Sequence, residues 1–270
     1  MTKTEILTRF AVDDASRMAL ARVLDKAELA RSRNVPAHSQ FLTDGEQALA
    51  DQALNAIGIP CDGDDPRRSF WGGYGQAERK VCVFLPGWVE ELIPGGEDDP
   101  LAAVEAVPPA EAKLSHRDYL GALMGLGFAR ESLGDILVTP ERAQVVCLRS
   151  VLPALLSQWS EVGRYQVRVR ELPLAQLQPS AGDVQLRRET FQSLRLDAVA
   201  AAGFRLSRAK AAGLIAAGRV LVNHLPCQKP DRLLQEGDSL TAKGYGKCVL
   251  ARVTGESRKG RIMAEIERYG

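Results

Sequence analysis

Cysteine is scarce in this sequence and forms no pattern. The 270-residue chain holds five, Cys61, Cys82, Cys147, Cys227 and Cys248, widely scattered and without a C-x-x-C pair. An odd, dispersed set argues against a disulfide framework and a zinc ligand set, and predicts reduced thiols. Long apolar runs are missing too. No stretch approaches the ~18 residues of a membrane span, and the opening MTKTEILTRFAVDD lacks an apolar signal core. A cytoplasmic location is the expectation. The three histidines, His38, His116 and His224, sit in no recognisable motif, so no serine or cysteine has a base evident from the sequence. Gly72-Gly73-Tyr74-Gly75 has neither Walker spacing nor a dinucleotide fingerprint and reads as a tight turn. Asp62, Asp64 and Asp65 resemble part of a calcium loop but lack its bidentate glutamate, and read as a polar turn. No cofactor, metal site or catalytic residue is expected.

Net charge is also small, at +1, but it is unevenly placed. Residues 187–270 carry 16 Lys+Arg against 8 Asp+Glu, a balance of +8, whereas the remainder carries 19 against 26, a balance of −7. A basic end on a mildly acidic body is the charge pattern of a nucleic-acid-binding module attached to a carrier.

The predicted organisation is α+β in three parts. Residues 1–70 read as a helical N-terminal domain: an amphipathic helix over Ser16–Arg33, then a second opened by the capping-box pair Thr43 and Glu46 and stopped at Gly58. Residues 71–180 alternate strands and helices. Val81–Leu85, Leu101–Val107, a hairpin over Ile136–Thr139 and Gln144–Arg149, and the alternating Tyr165–Arg170 read as strands. Helices fall after the Ser115/Asp118 capping box and over Ser150–Trp159. The order ββαββαβ fits a ferredoxin-like or RNA-recognition-motif-like sandwich. Gln144–Arg149 carries none of the aromatics on which such motifs stack bases, so this part reads mainly as a scaffold. His116-Arg117-Asp118 echoes a kinase catalytic loop, but the asparagine due five residues after the aspartate is Leu123, and a helix start explains the triplet.

Pro179–Asp183 reads as a linker into the basic part, residues 187–270. A helix from Leu194 to Ala202 is expected to end at Gly203. A second starts at the N-cap Ser207, turns Ala211, Leu214 and Ile215 inward, and closes at Gly218. Val220–Val222, Asp238–Lys243, Cys248–Val253 and Ile262–Ile266 read as short strands, with Asn223-His224 at a turn. The start of the second helix is a ready anion site, because its free amides and dipole favour negative charge. Arg205, Ser207, Arg208 and Lys210 surround it, and the planar arginine fork suits a phosphate. A second patch, Lys243, Tyr245 and Lys247, offers a ring between two cations, and Arg258 and Lys259 lie on a glycine-flanked turn.

Leu196-Asp197, Ser207-Arg208, Ala211, Leu214-Ile215, Gly218, Val220, Val222-Asn223, Pro230 and Gly237-Asp238 resemble the S4 domain, an RNA-binding fold. Ala212 and Gly213 stand where S4 domains often carry basic or polar residues, and His224 replaces a commoner glycine. FLTDGEQ at Phe41, GGYGQAERK at Gly72, HRDYLGALMGLGFARESLGDI at His116 and GESRKGRI at Gly255 are similar to YlmH-type proteins. That resemblance implies a helical N-terminal domain, an RNA-recognition-motif-like middle domain and a C-terminal S4 domain. It also implies a non-enzymatic factor that binds ribosomal RNA and tRNA on the large ribosomal subunit, with a role in rescue of stalled ribosomes and an association with cell-division gene clusters. Two alternatives stay open. One is a scaffold linking division or translation proteins. The other is an RNA-modifying enzyme, although Arg195-Leu196-Asp197 lacks the R-L-D-x-x-T-S-G surroundings of a pseudouridine synthase.

Overall fold

In the computed structural model, residues 1–59, 61, 65–179, 185–242, 244–257 and 260–269 are described. Asp62, Asp64 and most of the expected linker lie outside them. The chain forms two compact units, Met1–Ser180 and Ala181–Gly270.

The first unit opens with helices α1 (Lys3–Phe10), α2 (Asp14–Arg33) and α3 (Asp44–Ala56). Each starts at a reciprocal capping box, Thr2 with Glu5, Asp13 with Ser16 and Thr43 with Glu46, which satisfies the otherwise orphaned amides. A purely helical N-terminal domain over residues 1–70 is not what forms. Strands β1 (Ala37–His38), β2 (Arg67–Trp71) and β3 (Val81–Leu85) build a small sheet in the order β1-β3-β2. The expected boundary at residue 70 therefore falls inside a strand, because β2 needs β3 as its hydrogen-bonding partner.

Strand β3 explains the continuous apolar run VCVFL. Cys82 and Phe84 point into the helical core with Leu20, Leu24 and Leu54, while Val81, Val83 and Leu85 point the opposite way, into a second core. A strand buried on both faces has no reason to alternate polar with apolar residues. That second core lies against one face of the sheet in the next part of the chain, which comprises β4 (Leu101–Val107), α4 (His116–Gly125), β5 (Leu133–Val138), β6 (Ala143–Leu148) and α5 (Leu152–Gln158). The two-residue strands β7 (Glu161–Val162) and β8 (Tyr165–Gln166) and then β9 (Arg168–Leu172) complete it. The expected strand Tyr165–Arg170 is thus divided at Val167.

The sheet order β5-β6-β4-β9, with every pairing antiparallel, is the connectivity of a split βαβ unit. Its two faces bury different partners. Val104, Val145 and Cys147 meet Tyr119 and Leu123 of α4 and Leu155 of α5. Leu101, Ala103, Val146 and Leu172 on the other face meet Phe41 and the outward side of β3. The turn at Gly72 is held at its far end by Asp135, which accepts hydrogen bonds from the Tyr74 hydroxyl at 2.8 Å and the amides of Glu78 at 2.7 Å and Arg79 at 3.1 Å.

The second unit is a six-stranded sheet with two helices on one face. It comprises β10 (Gln185–Phe191), α6 (Leu196–Phe204), α7 (Arg208–Ala216), β11 (Val220–Val222), β12 (Leu225–Pro226), β13 (Ser239–Ala242), β14 (Gly246–Glu256) and β15 (Ile262–Tyr269), in the sheet order β10-β15-β14-β13-β11-β12. Strand β10, unforeseen from the sequence, pairs along β15. Its exposed Leu186, Arg188 and Thr190 carry too little hydrophobic alternation to read as a strand. The β11–β12 turn tolerates His224 because Asn223 and His224 both adopt positive φ, 49° and 67°, as a tight hairpin requires. The Asn223 side chain fixes that turn, donating to Asp238 at 2.7 Å and accepting from the Ser239 amide at 2.9 Å.

Candidate nucleic-acid interface

Helix α6 exists because Leu196, Val199, Ala200 and Phe204 present one buried stripe to the sheet. Gly203 does not end it. The helix runs on to Phe204, and Arg205 takes the left-handed cap at φ 56°, a position usually filled by glycine. That backbone reversal costs a non-glycine residue roughly 1 kcal/mol, and it carries the chain from α6 into α7. Two residues later Ser207 caps α7, accepting from the Lys210 amide at 3.2 Å. The elbow is therefore a left-handed arginine followed by an N-cap serine, with Arg205, Ser207, Arg208 and Lys210 all exposed on it.

Its electrostatics centre on a carboxylate. Asp197, in the first turn of α6, is 6% exposed. Arg208 reaches it through Nε at 3.2 Å and Nη2 at 3.1 Å, and Arg195 through Nε and Nη2, both at 3.2 Å. Burial pushes the Asp197 carboxyl up, but hydrogen bonds from Arg195 and Arg208 outweigh it and hold the pKa below the ordinary carboxylate value. Arg205 donates instead to the Gln185 side chain at 2.6 Å. Lys210 lies over the Tyr245 ring, with Nζ 5.4 Å from its centre, so Tyr245 joins the elbow. The same ring packs on the edge of the core.

The remaining expected residues part company with this group. Lys247 and Tyr245 do not form one patch. Cys248 faces inward against α6, so Lys247, one residue before it, faces the other side of the sheet, where its Nζ sits 5.9 Å from the Tyr269 ring. Lys243, Arg258 and Lys259 lie outside the described residues. Arg195 and Asp197 also belong to the constellation: a search for cations alone passes over Asp197, and one confined to the elbow passes over Arg195. A signal was available: Asp197 is the only acidic residue between Thr190 and Pro230, eleven positions before Arg208.

The middle part of the first unit offers no comparable surface on its sheet. The face on which an RNA-recognition motif would stack bases is occupied by Phe41 and β3. At its polar end Glu105, 2% exposed, is held by Arg142 at 3.1 Å and Arg170 at 2.6 Å. The His116-Arg117-Asp118 triplet is a helix start, with Asp118 accepting from the Ser115 amide at 2.7 Å. Burial pushes the thiols of Cys82, Cys147 and Cys248 up to about 12, which keeps them protonated and poor nucleophiles. Among the described residues, no group of three or more His, Cys, Asp or Glu could hold a metal ion, and no helix is long and apolar enough to cross a membrane.

Two helices meeting at a basic elbow on an antiparallel sheet define an S4-type RNA-binding module, and the S4 domain model matches residues 194–240. Residues 101–176 match the model described as "Putative RNA-binding domain in YlmH". The chain belongs to the YlmH family. It is 34% identical over 201 residues to the ribosome-associated protein quality control protein P2 of Bacillus subtilis, an alignment that covers 74% of this chain and 77% of that protein. Its fold is also similar to that of the cell division protein ylmH from Streptococcus pneumoniae, with a TM-score of 0.50 at 19% identity, over 60% of this chain and 94% of the other.

Proposed function

We propose that this protein is a non-enzymatic RNA-binding factor of the ribosome, which docks on ribosomal RNA and tRNA at the large subunit and acts in rescue or quality control of stalled ribosomes. The observation that carries this reading is the α6–α7 elbow, where Arg205, Arg208 and Lys210 surround a capped helix start. Such a start presents amide donors and a positive dipole end, and the guanidinium forks add charge and geometry suited to phosphate oxygens. The name of the Bacillus relative supports the ribosomal setting.

The test is co-sedimentation of the full-length protein with purified large ribosomal subunits. An Arg205→Glu, Arg208→Glu double variant is expected to lose co-sedimentation while remaining folded, with a lower melting temperature because Asp197 loses Arg208 as a partner. Retained co-sedimentation would overturn the site assignment. Affinity is expected to fall steeply with salt, with a log–log slope of about −0.7 per phosphate contact for single strands and about −0.9 for a duplex. If the double variant leaves the ribosome but still captures protein partners, those partners bind elsewhere on the chain.

A further inference from the structure

Residues 81–112 contain seven acidic residues and no Lys or Arg. Five of the seven, Glu90, Glu91, Glu97, Asp98 and Asp99, fall in the loop between β3 and β4, together with Trp88 and Ile93. Of these carboxylates Asp99 faces inward. It is 1% exposed, and it accepts from the Trp71 indole at 3.2 Å and from the amides of Gly95 at 2.8 Å and Leu101 at 2.9 Å. Arg149 holds the same corner, donating from Nε to Asp99 O at 3.0 Å and from its amide to Pro100 O at 2.7 Å. Glu90, Glu91, Glu97 and Asp98 are exposed on the loop so fixed, and among the described residues none of them is in an ion pair.

The apolar residues of the loop are exposed as well, Trp88 at 60% and Ile93 at 62%. Trp88 donates from Nε1 to Asn34 O at 3.0 Å, which sets its ring next to Val35, itself exposed. Arg67 donates to Val89 O and Glu90 O and so fixes the backbone between that ring and the first carboxylates. From Val35 the chain enters Pro36 and β1, the edge strand of its sheet. There it faces the acidic loop across a cleft of about 440 Å³ lined by Pro36, His38, Glu97, Asp98, Pro100 and Arg149. An anchored, exposed indole bordered by unneutralised carboxylates has the make-up of an interface anchor with a charged rim.

We infer that this surface docks an extended basic protein segment, with an apolar residue of that segment on Trp88 and its lysines or arginines along Glu90, Glu91, Glu97 and Asp98. Charge complementarity selects the occupant. Unneutralised carboxylates repel the phosphates of RNA and of an anionic membrane surface alike, and a bare cation would leave the indole and Ile93 in water. The inference is independent of the RNA reading of the second unit.

The test measures fluorescence anisotropy of a labelled decapeptide, eight lysines around a central leucine pair, mixed with the full-length protein over a range of salt. The parent is expected to bind it more tightly than labelled deca-lysine, and less tightly as salt rises. Trp88→Ala is expected to weaken the leucine peptide by at least about tenfold and to erase its advantage over deca-lysine. A Glu97→Lys, Asp98→Lys variant is expected to weaken both peptides by at least about tenfold. Glu111→Lys, Glu141→Lys makes the same change of charge with exposed residues beyond the other end of β4, where Ala106 pairs with Ala143, and is expected to stay within about twofold of the parent. Equal weakening by the two reversals would mean attraction to net charge alone and would overturn the proposal. Unchanged affinity for the leucine peptide in a folded Trp88→Ala variant would overturn it too. Should that variant not fold, Ile93→Ser reads the same apolar contact, and unchanged affinity there would count equally against it. Loss of bulk tRNA binding in Trp88→Ala would reassign the surface to RNA, and dimerisation of the parent abolished by Trp88→Ala would reassign it to a second copy of the chain. Either result overturns the choice of occupant.

Discussion

Gly203 on α6 lies directly against Cys248 on β14. A Cβ at residue 203 would stand 2.4 Å from the Cys248 sulfur and 3.1 Å from its Cβ, closer than packed atoms approach. The glycine sets how near the helix comes to the sheet and thereby where the elbow begins. Gly203→Ala is expected to destabilise the second unit by about 1–3 kcal/mol through overpacking, read as a lower urea midpoint. Gly213 is the counter-example. It is exposed inside α7, and a Cβ there would meet nothing within 4 Å. Gly213→Ala is expected to raise stability by about 1 kcal/mol through helix propensity.

Asp197 makes the second unit sensitive to acid. Its folded pKa lies below the unfolded one, so its stabilising contribution is fully present above the ordinary carboxylate value of about 3.9 and is lost as pH falls through the folded value. Urea midpoints of the parent are therefore expected to drop below about pH 4. In Asp197→Asn that component of the drop should disappear, and an unchanged pH profile would count against the coupling.

The Asp135 carboxylate ties the Gly72 turn to β5 through Tyr74 and the amides of Glu78 and Arg79. Asp135→Ala leaves those donors without their acceptor and is expected to cost about 2 kcal/mol or more. Tyr74→Phe removes a single hydrogen bond and should cost about 1 kcal/mol. Chemical denaturation of the two variants, followed through the tryptophans of the first unit, gives the ordering.

Phe41 is 1% exposed and covers the middle sheet beside Val146 and Gly134. Phe41→Ala is expected to destabilise the first unit by about 3–5 kcal/mol. Crosslinking to RNA should place no contact on Val104 or Val146, which are buried on opposite faces of the sheet. Crosslinked peptides from those strands in the folded protein would contradict the covered-face description.

Local chemistry was legible where it was complete within a few residues. Thr43 with Glu46, and Ser115 with Asp118, each satisfy a helix start through neighbours three positions apart, and both helices begin there. Ser207 did the same for α7. Strand β10 was not legible, because its stability comes from pairing with β15, about 75 residues away, and its own side chains are mostly solvated. The end of α6 was misplaced by two residues for a similar reason: a glycine reads as a stop, yet Gly203 answers to Cys248, and the left-handed turn falls on Arg205.

The sequence by itself determined the charge division of this protein, a basic C-terminal part and a mildly acidic remainder, along with the helix starts at Thr43, Ser115 and Ser207 and the cations that flank the last of them, Arg205, Arg208 and Lys210. These follow from charge and short-range hydrogen bonding, which act along the chain. Only the tertiary structure decided which cations share a surface. It sent Lys247 to the far side of the sheet, drew Tyr245 under Lys210, and set Asp197 between Arg195 and Arg208. Side-chain direction in a strand alternates with every residue, and ion pairs between helices depend on how those helices pack. Spacing along the chain carries neither.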